Sequence, residues 1–203
     1  MKKNRISNNW INKQRRDIYV RQSKVDGYRA RSAYKLMELD KKFKIFKKGM
    51  NIIDIGAAPG SWSQYVSKVV KNVKLISVDL KIMEKIENTT QIMGDFTEHD
   101  VQNQIKKILK EKIDVVMSDM AVNTTGNKDL DSISTGELSI NAMNFSVKNL
   151  KKNGSFVSKI FMGSTFNEIV GNCKKNFKEV KIFKPPSSRK NSKESFIICK
   201  KIR

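Results

Sequence analysis

Residues 52–62 read IIDIGAAPGSW, in which an apolar strand pattern runs into a turn marked by Gly56 and Gly60. Glycine has no Cβ, so a ligand can approach the backbone of such a turn closely. In an open α/β sheet, ligands bind beyond the carboxyl ends of the strands. The spacing D-x-G-x-x-P-G differs from the G-x-G-x-x-G that seats a pyrophosphate at a helix start. The stretch therefore predicts an α/β fold with a ligand site at this turn, and it disfavours a nicotinamide-dependent dehydrogenase.

Strand and helix patterns alternate after Gly49, which predicts a parallel, doubly wound sheet with helices on both faces. Only PPSSRKNSKE separates the last two strand patterns, so we expect those strands to pair antiparallel. Residues 121–131 are rich in turn formers and predict a mobile loop. The predicted strands are 51–55, 74–79, 90–93, 113–118, 155–161, 178–183 and 195–200, and the predicted helices lie near 33–44, 61–71, 98–111, 134–150 and 164–176. Ser32 is the expected cap of the first of these helices.

Four aspartates, Asp54, Asp79, Asp95 and Asp119, are predicted to end strands around the glycine turn. Together they would repel a triphosphate and favour a cation that carries an amino acid and a nucleoside. S-adenosylmethionine fits that description, and Asp79 is placed to accept the ribose hydroxyls. A single aspartate is more often a turn or cap residue, but four in register favour a binding site.

The positive charge is concentrated at the two ends of the chain. The 203 residues carry a net charge of +21; residues 1–48 hold 16 Lys and Arg against 4 Asp and Glu, residues 171–203 hold 11 against 2, and the middle is neutral. Six of the eight arginines lie in the first 31 residues, although the chain otherwise prefers lysine. The guanidinium of arginine can donate two hydrogen bonds to a phosphate group at once. The pattern therefore indicates a nucleic-acid partner rather than a solvated basic face. The candidate RNA contacts are Arg15, Arg16, Arg29, Arg31, Arg189 and Lys190.

Other classes of protein are disfavoured by what the sequence lacks. No apolar run reaches the length of a membrane span, and no signal-peptide core lies near the start. Cys173 and Cys199 have neither a metal-site spacing nor a disulfide framework, so we predict no metal and a reduced, cytoplasmic compartment.

The stretches that carry these features resemble, nearly end to end, the RrmJ/FtsJ family of ribosomal RNA ribose 2′-O-methyltransferases of the RlmE type. The matching pieces, in order, are RSAYKL, IIDIGAAPGSWSQYV, the DL after the second strand, MGDF, VMSDMA, GSFVSKIF and PPSSRKNSKESF. The resemblance implies a Rossmann-like class I methyltransferase fold that depends on S-adenosylmethionine. Its seven-stranded sheet would be mostly parallel with an antiparallel last strand. We expect a basic arm over residues 1–31 and a single methyltransferase domain over 32–203.

The resemblance also implies a catalytic tetrad that falls on Lys35, Asp119, Lys159 and Glu194. The family's cofactor contacts fall on Gly60, Trp62, Asp79, Asp95 and Asp119, to which the turn itself adds Asp54 and Gly56. Family members methylate the ribose 2′-hydroxyl of a uridine in the A loop of 23S rRNA, in the large ribosomal subunit. One subunit can hold the whole tetrad, so we expect a monomer. Residues 1–16 superficially resemble a mitochondrial presequence, but bacterial relatives carry a similar arm, which favours the cytoplasm.

Three departures from the family pattern lie near the expected site. Val122 stands where the family usually has proline, Ser61 replaces a glycine, and FMGST follows Lys159 where many members have F-Q-G. None of them changes a tetrad residue. We expect them to affect the rigidity of the loops and the fit of the substrate.

The tetrad suits the chemistry, because a ribose hydroxyl is a poor nucleophile until it loses its proton. Burial and a neighbouring ammonium favour the neutral amine of a lysine, which can take that proton. Lys159, in an apolar strand with Lys35 nearby, is the predicted proton acceptor, and Lys35 would steady the developing negative charge. Asp119 and Glu194 are expected to orient the lysines. Whether Lys159 removes the proton or chiefly orients the hydroxyl stays open, and a lysine that merely reaches from the strand end to water is the plain alternative.

Two further hypotheses remain open. The same reaction could act on tRNA or another RNA, although the short basic arm favours the ribosomal target. A non-catalytic RNA-binding assembly factor on the same fold would be favoured by loss of a tetrad residue or of the GAAPG turn, and neither is lost.

Overall fold

The computed structural model describes residues 16–121 and 128–203, the second range with side chains from Ile133 onward. The strands are β1 (Asn51–Ile55), β2 (Lys74–Asp79), β3 (Thr89–Met93), β4 (Ile113–Ser118), β5 (Leu150–Phe161), β6 (Phe177–Phe183) and β7 (Glu194–Ile202). The helices are α1 (Ile18–Val25), α2 (Ser32–Phe43), α3 (Ser61–Val69), α4 (His99–Leu109), α5 (Lys128–Asn149) and α6 (Phe166–Asn176). The predictions for Arg15 and Val122 lie outside the described residues.

The strands form one seven-stranded sheet in the order β3-β2-β1-β4-β5-β7-β6. Strands β1 to β5 pair in parallel, and β7 runs antiparallel between β5 and β6. This confirms the predicted doubly wound sheet and its antiparallel last strand. The chain moves outward from β1 through β2 and β3 and then returns to β4 on the other side. The crevice where a ligand binds in such folds therefore lies at the carboxyl ends of β1 and β4.

The alternation of side chains along β1 explains why helices cover both faces of the sheet. All five residues of β1 are buried. Ile53 and Ile55 belong to a hydrophobic cluster that includes buried residues of α4, α5 and α6, whereas Ile52 belongs to a second cluster with α2 and α3. Successive strand residues point to opposite faces, so one apolar strand supplies both cores.

Three sequence expectations about the elements were wrong. Helix α5 begins at Lys128, so the predicted loop does not extend over 128–131, and residues 122–127 lie outside the described part. Strand β5 begins at Leu150, because the KKNG stretch, which is typical of a turn, continues as an extended segment, with a register shift opposite Ile113 and Val115. Ser32 is the first residue of α2 and not its cap; Arg31 is the N-cap and makes no side-chain capping bond.

The described part of the predicted arm packs against the domain. The backbone N–H of Arg29 donates to Oε1 of Gln64 at 2.9 Å, and Nζ of Lys68 donates to the carbonyl of Asp26 at 3.3 Å. These contacts cross the proposed boundary at residues 31 and 32, which stays a prediction. None of the described helices is long and apolar enough to cross a membrane.

Helix α4 offers a matched pair of isoleucines that tests the core. Ile105 is 1% exposed and Ile108 is 42% exposed. We expect Ile105→Ala to lower the free energy of unfolding by about 2–5 kcal/mol, because it leaves a cavity in the core. Ile108→Ala should cost less than about 1 kcal/mol. Chemical denaturation of both variants measures the difference, and equal losses would contradict the assigned burial.

Candidate active site

Two lysine–carboxylate pairs meet at the carboxyl edge of the sheet. Nζ of Lys35 in α2 lies 2.9 Å from Oε2 of Glu194 at the start of β7. Nζ of Lys159 in β5 lies 3.1 Å from Oδ1 of Asp119, which directly follows β4, and 2.5 Å from the main-chain oxygen of Asp119. The side chains of all four residues are at least four-fifths buried. The structure thus brings together the four residues that the sequence predicted.

The register between β5 and β7 explains why Lys159 and Glu194 share one face. Lys159 is opposite Phe196, and Phe161 is opposite Glu194. Residues two apart on a strand and residues opposite each other on paired strands point to the same side. Val157, two positions before Lys159, belongs to the cluster that α2 covers, so this face is the one that Lys35 approaches.

The charges around Lys35 keep it an ammonium. Burial by itself lowers the pKa of Lys35, but the carboxylates of Asp119 and Glu194 outweigh burial, and the pKa lies above its ordinary value. Arg31 acts in the opposite direction and is outweighed too. At neutral pH Lys35 is therefore a fixed cation beside the Lys159–Asp119 pair, which suits it to hold an oxygen that gains negative charge.

A cleft of about 490 Å³ adjoins Lys159 at the ends of β1, β2, β3 and β4. Gly56 lies on its wall with φ +71°, and a Cβ there would come within 2.0 Å of Cγ of Met120. Only glycine fits this position, because the turn needs both the left-handed backbone and the missing side chain. The residues that line the cleft are Gly56, Ala58, Val78, Asp79, Leu80, Lys81, Gly94, Asp95, Phe96, Asp119, Met120, Ala121, Leu138 and Lys159.

Asp79, at the end of β2, and Asp95, just after β3, are predicted cofactor contacts and both line this cleft. Asp79 accepts the backbone N–H groups of Ala58 at 2.9 Å and Lys81 at 2.8 Å, one on each oxygen. Asp95 accepts the backbone N–H and the hydroxyl of Thr97 through Oδ1. These bonds fix both carboxylates and leave each further lone pairs for a hydroxyl donor.

Asp119 supplies an acceptor suited to a cationic ligand. Its Oδ1 is buried and makes no hydrogen bond, although Nζ of Lys159 lies within ion-pair distance. The two groups attract each other by charge, but they are not aligned as a hydrogen bond requires. A buried carboxylate oxygen with a free acceptor position next to the glycine turn fits the ammonium of an amino-acid moiety such as that of S-adenosylmethionine.

Asp54 lies behind the cleft and not on its wall. It is the fourth residue of β1, one before the strand end that the sequence predicted for it, and only 1% of it is exposed. Its Oδ2 accepts a 2.6 Å hydrogen bond from Ser63, whose hydroxyl also meets that of Ser77. Burial raises the pKa of Asp54 to about 7; the bond from Ser63 opposes the shift, and the charge of Asp119 adds to it.

Gly60 and Trp62, both predicted cofactor contacts, do not line the cleft. Gly60 caps α3 with φ +105°. Trp62 is 2% exposed, its indole N–H donates to the carbonyl of Ser32 at 3.0 Å, and its ring lies 5.7 Å from that of Phe196. The structure gives Trp62 a packing role between α2 and β7, and its role toward a cofactor stays a prediction.

The predicted RNA contacts differ in how free they are. Arg29 donates to the carbonyls of Pro59 and Lys85, and Arg31 donates to Asp17 and to the carbonyl of Ser187. Both guanidinium groups are thus largely occupied within the protein. Arg16 and Lys190 are exposed, and the side chain of Arg189 is 31% exposed while its Nε lies 3.3 Å from Asp17.

Sequence reasoning missed residues of two kinds. Met120 and Leu138 line the cleft but carry no motif of their own, although Met120 directly follows the predicted Asp119. Glu38 in α2 holds the segment before Glu194 through Ser187. Its position one helical turn after Lys35 was the only signal in the sequence.

A mostly parallel seven-stranded sheet with an antiparallel β7, and a strand-end cleft beside paired lysines and carboxylates, define a Rossmann-like methyltransferase. Residues 28–202 match the family model described as FtsJ-like methyltransferase. The chain belongs to that family.

The comparisons with individual proteins agree with the family. A protein of Pelagibacter ubique named Ribosomal RNA large subunit methyltransferase E is 70% identical over 203 residues, which is 100% of each chain. A protein of Rickettsia akari with the same name is 45% identical over 95% of this chain and 88% of its own. A crystal structure of a ribosomal RNA methyltransferase from Plasmodium falciparum superposes with a TM-score of 0.77 at 35% identity, covering 86% of this chain and 98% of that one.

The raised pKa of Asp54 predicts a pH-dependent stability. Between the ordinary aspartate pKa and about 7, the folded protein binds a proton that the unfolded chain has released. Stability therefore falls as pH rises through this window, by on the order of 4 kcal/mol in the limit. Asp54→Asn keeps an acceptor for Ser63 and removes the titration. We expect its melting temperature, relative to wild type, to rise by about 7–14 °C from pH 4 to pH 7.5.

Thermal unfolding of both proteins across that pH range measures the effect. Every other titrating group is common to the two proteins, so the difference isolates Asp54. A difference that stays constant with pH would contradict the buried, protonated carboxyl.

Proposed function

We propose that this protein uses S-adenosylmethionine to methylate the ribose 2′-hydroxyl of a uridine in the A loop of 23S rRNA, in the large ribosomal subunit. The observation that carries the proposal is the pairing of Lys159 with Asp119 and of Lys35 with Glu194 beside a strand-end cleft. Relatives named Ribosomal RNA large subunit methyltransferase E support the ribosomal target. We expect a monomer, because one chain supplies all four residues. We also expect it in the cytoplasm, with the ribosomes on which it acts.

The cleft has the donor set that the cofactor requires. When bound, S-adenosylmethionine supplies an electrophilic methyl group. Asp79 and Asp95 are proposed to accept the hydroxyls and the base edge of its nucleoside, and the free oxygen of Asp119 to face its ammonium. The glycine turn at Gly56 lets the ligand come close to the backbone. Gly60, Trp62 and Asp54 would support this wall from behind.

Lys159 is the proposed proton acceptor. Its Nζ donates a hydrogen bond to the main-chain oxygen of Asp119 and the same side chain lines the cleft, so the amine is fixed where a ribose hydroxyl can meet it. A neutral amine at this position takes the hydroxyl proton as the oxygen attacks. Lys35, kept charged by Asp119 and Glu194, steadies the negative charge that develops on that oxygen.

The basic ends of the chain are proposed to bind the RNA backbone. Arg16, Arg189 and Lys190 are exposed to solvent at least in part and can reach phosphate oxygens. Arg15 is proposed to contact phosphate as well, and Arg29 and Arg31 are proposed to shape the rim of the cleft through their protein contacts. Because such contacts neutralise phosphates, binding should weaken steeply with salt.

A test of the reaction combines methyl-labelled S-adenosylmethionine with undermethylated large ribosomal subunits, free 23S rRNA or tRNA. We expect ribose label on 23S rRNA, and Lys159→Ala should lower the rate by at least about 100-fold. Lys178→Ala changes an exposed lysine on β6 and is the matched control, which should react like wild type. Label on tRNA instead of 23S rRNA would show that tRNA is the substrate. Label on no RNA would support a non-catalytic assembly factor.

Cofactor binding has a separate test at Asp79. Asp79→Asn keeps the size of the side chain but removes the charge and one acceptor, so we expect the Kd for S-adenosylmethionine to rise by at least about tenfold. Isothermal titration calorimetry measures it. Asp100→Asn, an exposed aspartate of α4, is the control. Unchanged affinity in Asp79→Asn would remove Asp79 from the proposed cofactor site.

A further inference from the structure

The segment 184–193 joins β6 to β7 without regular secondary structure, yet it delivers Glu194 to the active site. Its anchor is Ser187, which is fully buried. The N–H of Ser187 donates to Oε2 of Glu38 at 2.9 Å and to Oε1 at 3.2 Å, and its hydroxyl donates to Oε2 at 2.7 Å. One carboxylate thus satisfies both donors of Ser187.

The same serine is held from its other side. Arg31 donates through one nitrogen to the carbonyl of Ser187 and through another to Asp17, and Asp17 also lies 3.3 Å from Nε of Arg189. Every polar group of Ser187 therefore has a partner. Of these partners, Glu38 alone lies on the helix that carries a tetrad lysine.

A short series of contacts runs from Arg189, two residues after Ser187, to Glu194. The N–H of Ser192 donates to the carbonyl of Arg189 at 3.0 Å, and the N–H of Glu194 donates to the hydroxyl of Ser192 at 3.1 Å. The carbonyl of Lys193 accepts from the N–H of Met162, just after β5, at 2.9 Å. A displacement at Ser187 would therefore reach Glu194 within a few residues.

Helix α2 supports both contacts at once. Glu38 follows Lys35 by three residues, so the two side chains lie on one face of the helix, one turn apart. Glu38 meets Ser187, and Lys35 meets Glu194. Both contacts therefore start from one face of one helix, so they can act together on the segment that ends at Glu194.

We propose that Glu38 is a positioning residue for methyl transfer, which acts by holding Ser187 so that Glu194 is presented to Lys35. The proposal rests on the proposed function, because it requires the Lys35–Glu194 pair to serve the reaction. Glu38 itself touches neither the cleft nor the reacting atoms.

A double-mutant cycle tests this on single-turnover methyl transfer to undermethylated large subunits. Glu38→Ala should lower the rate about 10- to 100-fold, the usual effect of misplacing a reacting group. In the background of Glu194→Ala, the same change should lower the remaining rate less than about threefold, because the group that Glu38 positions is already gone. A role in general stability would give the same factor in both backgrounds.

Two further measurements separate positioning from charge and from folding. Glu38→Gln keeps an acceptor for Ser187 and should stay within about threefold of wild type. The Kd for S-adenosylmethionine should stay unchanged in Glu38→Ala, since the cleft does not include Glu38. Glu179→Ala on β6, which breaks an ion pair with Lys201 of β7, is the matched control and should react like wild type.

Three results would overturn the proposal while wild type remains active: a wild-type rate in Glu38→Ala, an equal loss in both backgrounds, or an equal loss in Glu38→Gln and Glu38→Ala. If Glu38→Ala does not fold, Ser187→Ala takes its place in the cycle, with an expected loss of about three- to tenfold that again vanishes in Glu194→Ala. Absence of ribose label with wild type would instead refute the proposed function.

Discussion

The antiparallel pairing of β7 with β5 is the constraint on which the site depends. Parallel strands bring their carboxyl ends to one edge of the sheet, and a strand that runs the other way brings its first residue to that same edge. Glu194 therefore opposes Phe161 at the end of β5, two residues from Lys159. Had β7 been parallel, its first residue would lie at the opposite edge, far from Lys159 and from the glycine turn.

The charges at this edge alternate, and the alternation determines what each group can do. The negative charges of Asp119 and Glu194 raise the pKa of Lys35, so it stays charged in spite of burial. Asp119 also holds Lys159, through a hydrogen bond to its main-chain oxygen and an ion pair with its carboxylate. Asp54 lies behind them, and burial raises its pKa enough that it adds less negative charge to the site. A set of buried ionisable groups is stable only when each has such partners.

Much of this could be predicted from the sequence, and the failures have physical reasons. The strands were found because apolar runs and glycine turns are local signals, and the tetrad was found through the family resemblance. The start of α5 was missed because turn-forming residues also occur in a first helical turn. The burial of Asp54 was missed because a strand pattern does not say which of its last two residues faces a helix, and Ser63 of α3 lies on that side.

The sequence by itself determined the fold class and the glycine turn, because these depend on residue type, periodicity and spacing along the chain, and its resemblance to a family identified the four charged residues. Tertiary structure alone decided the pairing of Lys35 with Glu194 across 159 positions, the capture of Arg29 and Arg31 by protein partners, and the hold of Glu38 on Ser187. Such contacts depend on how elements far apart in the sequence pack against each other, and no local pattern encodes that packing.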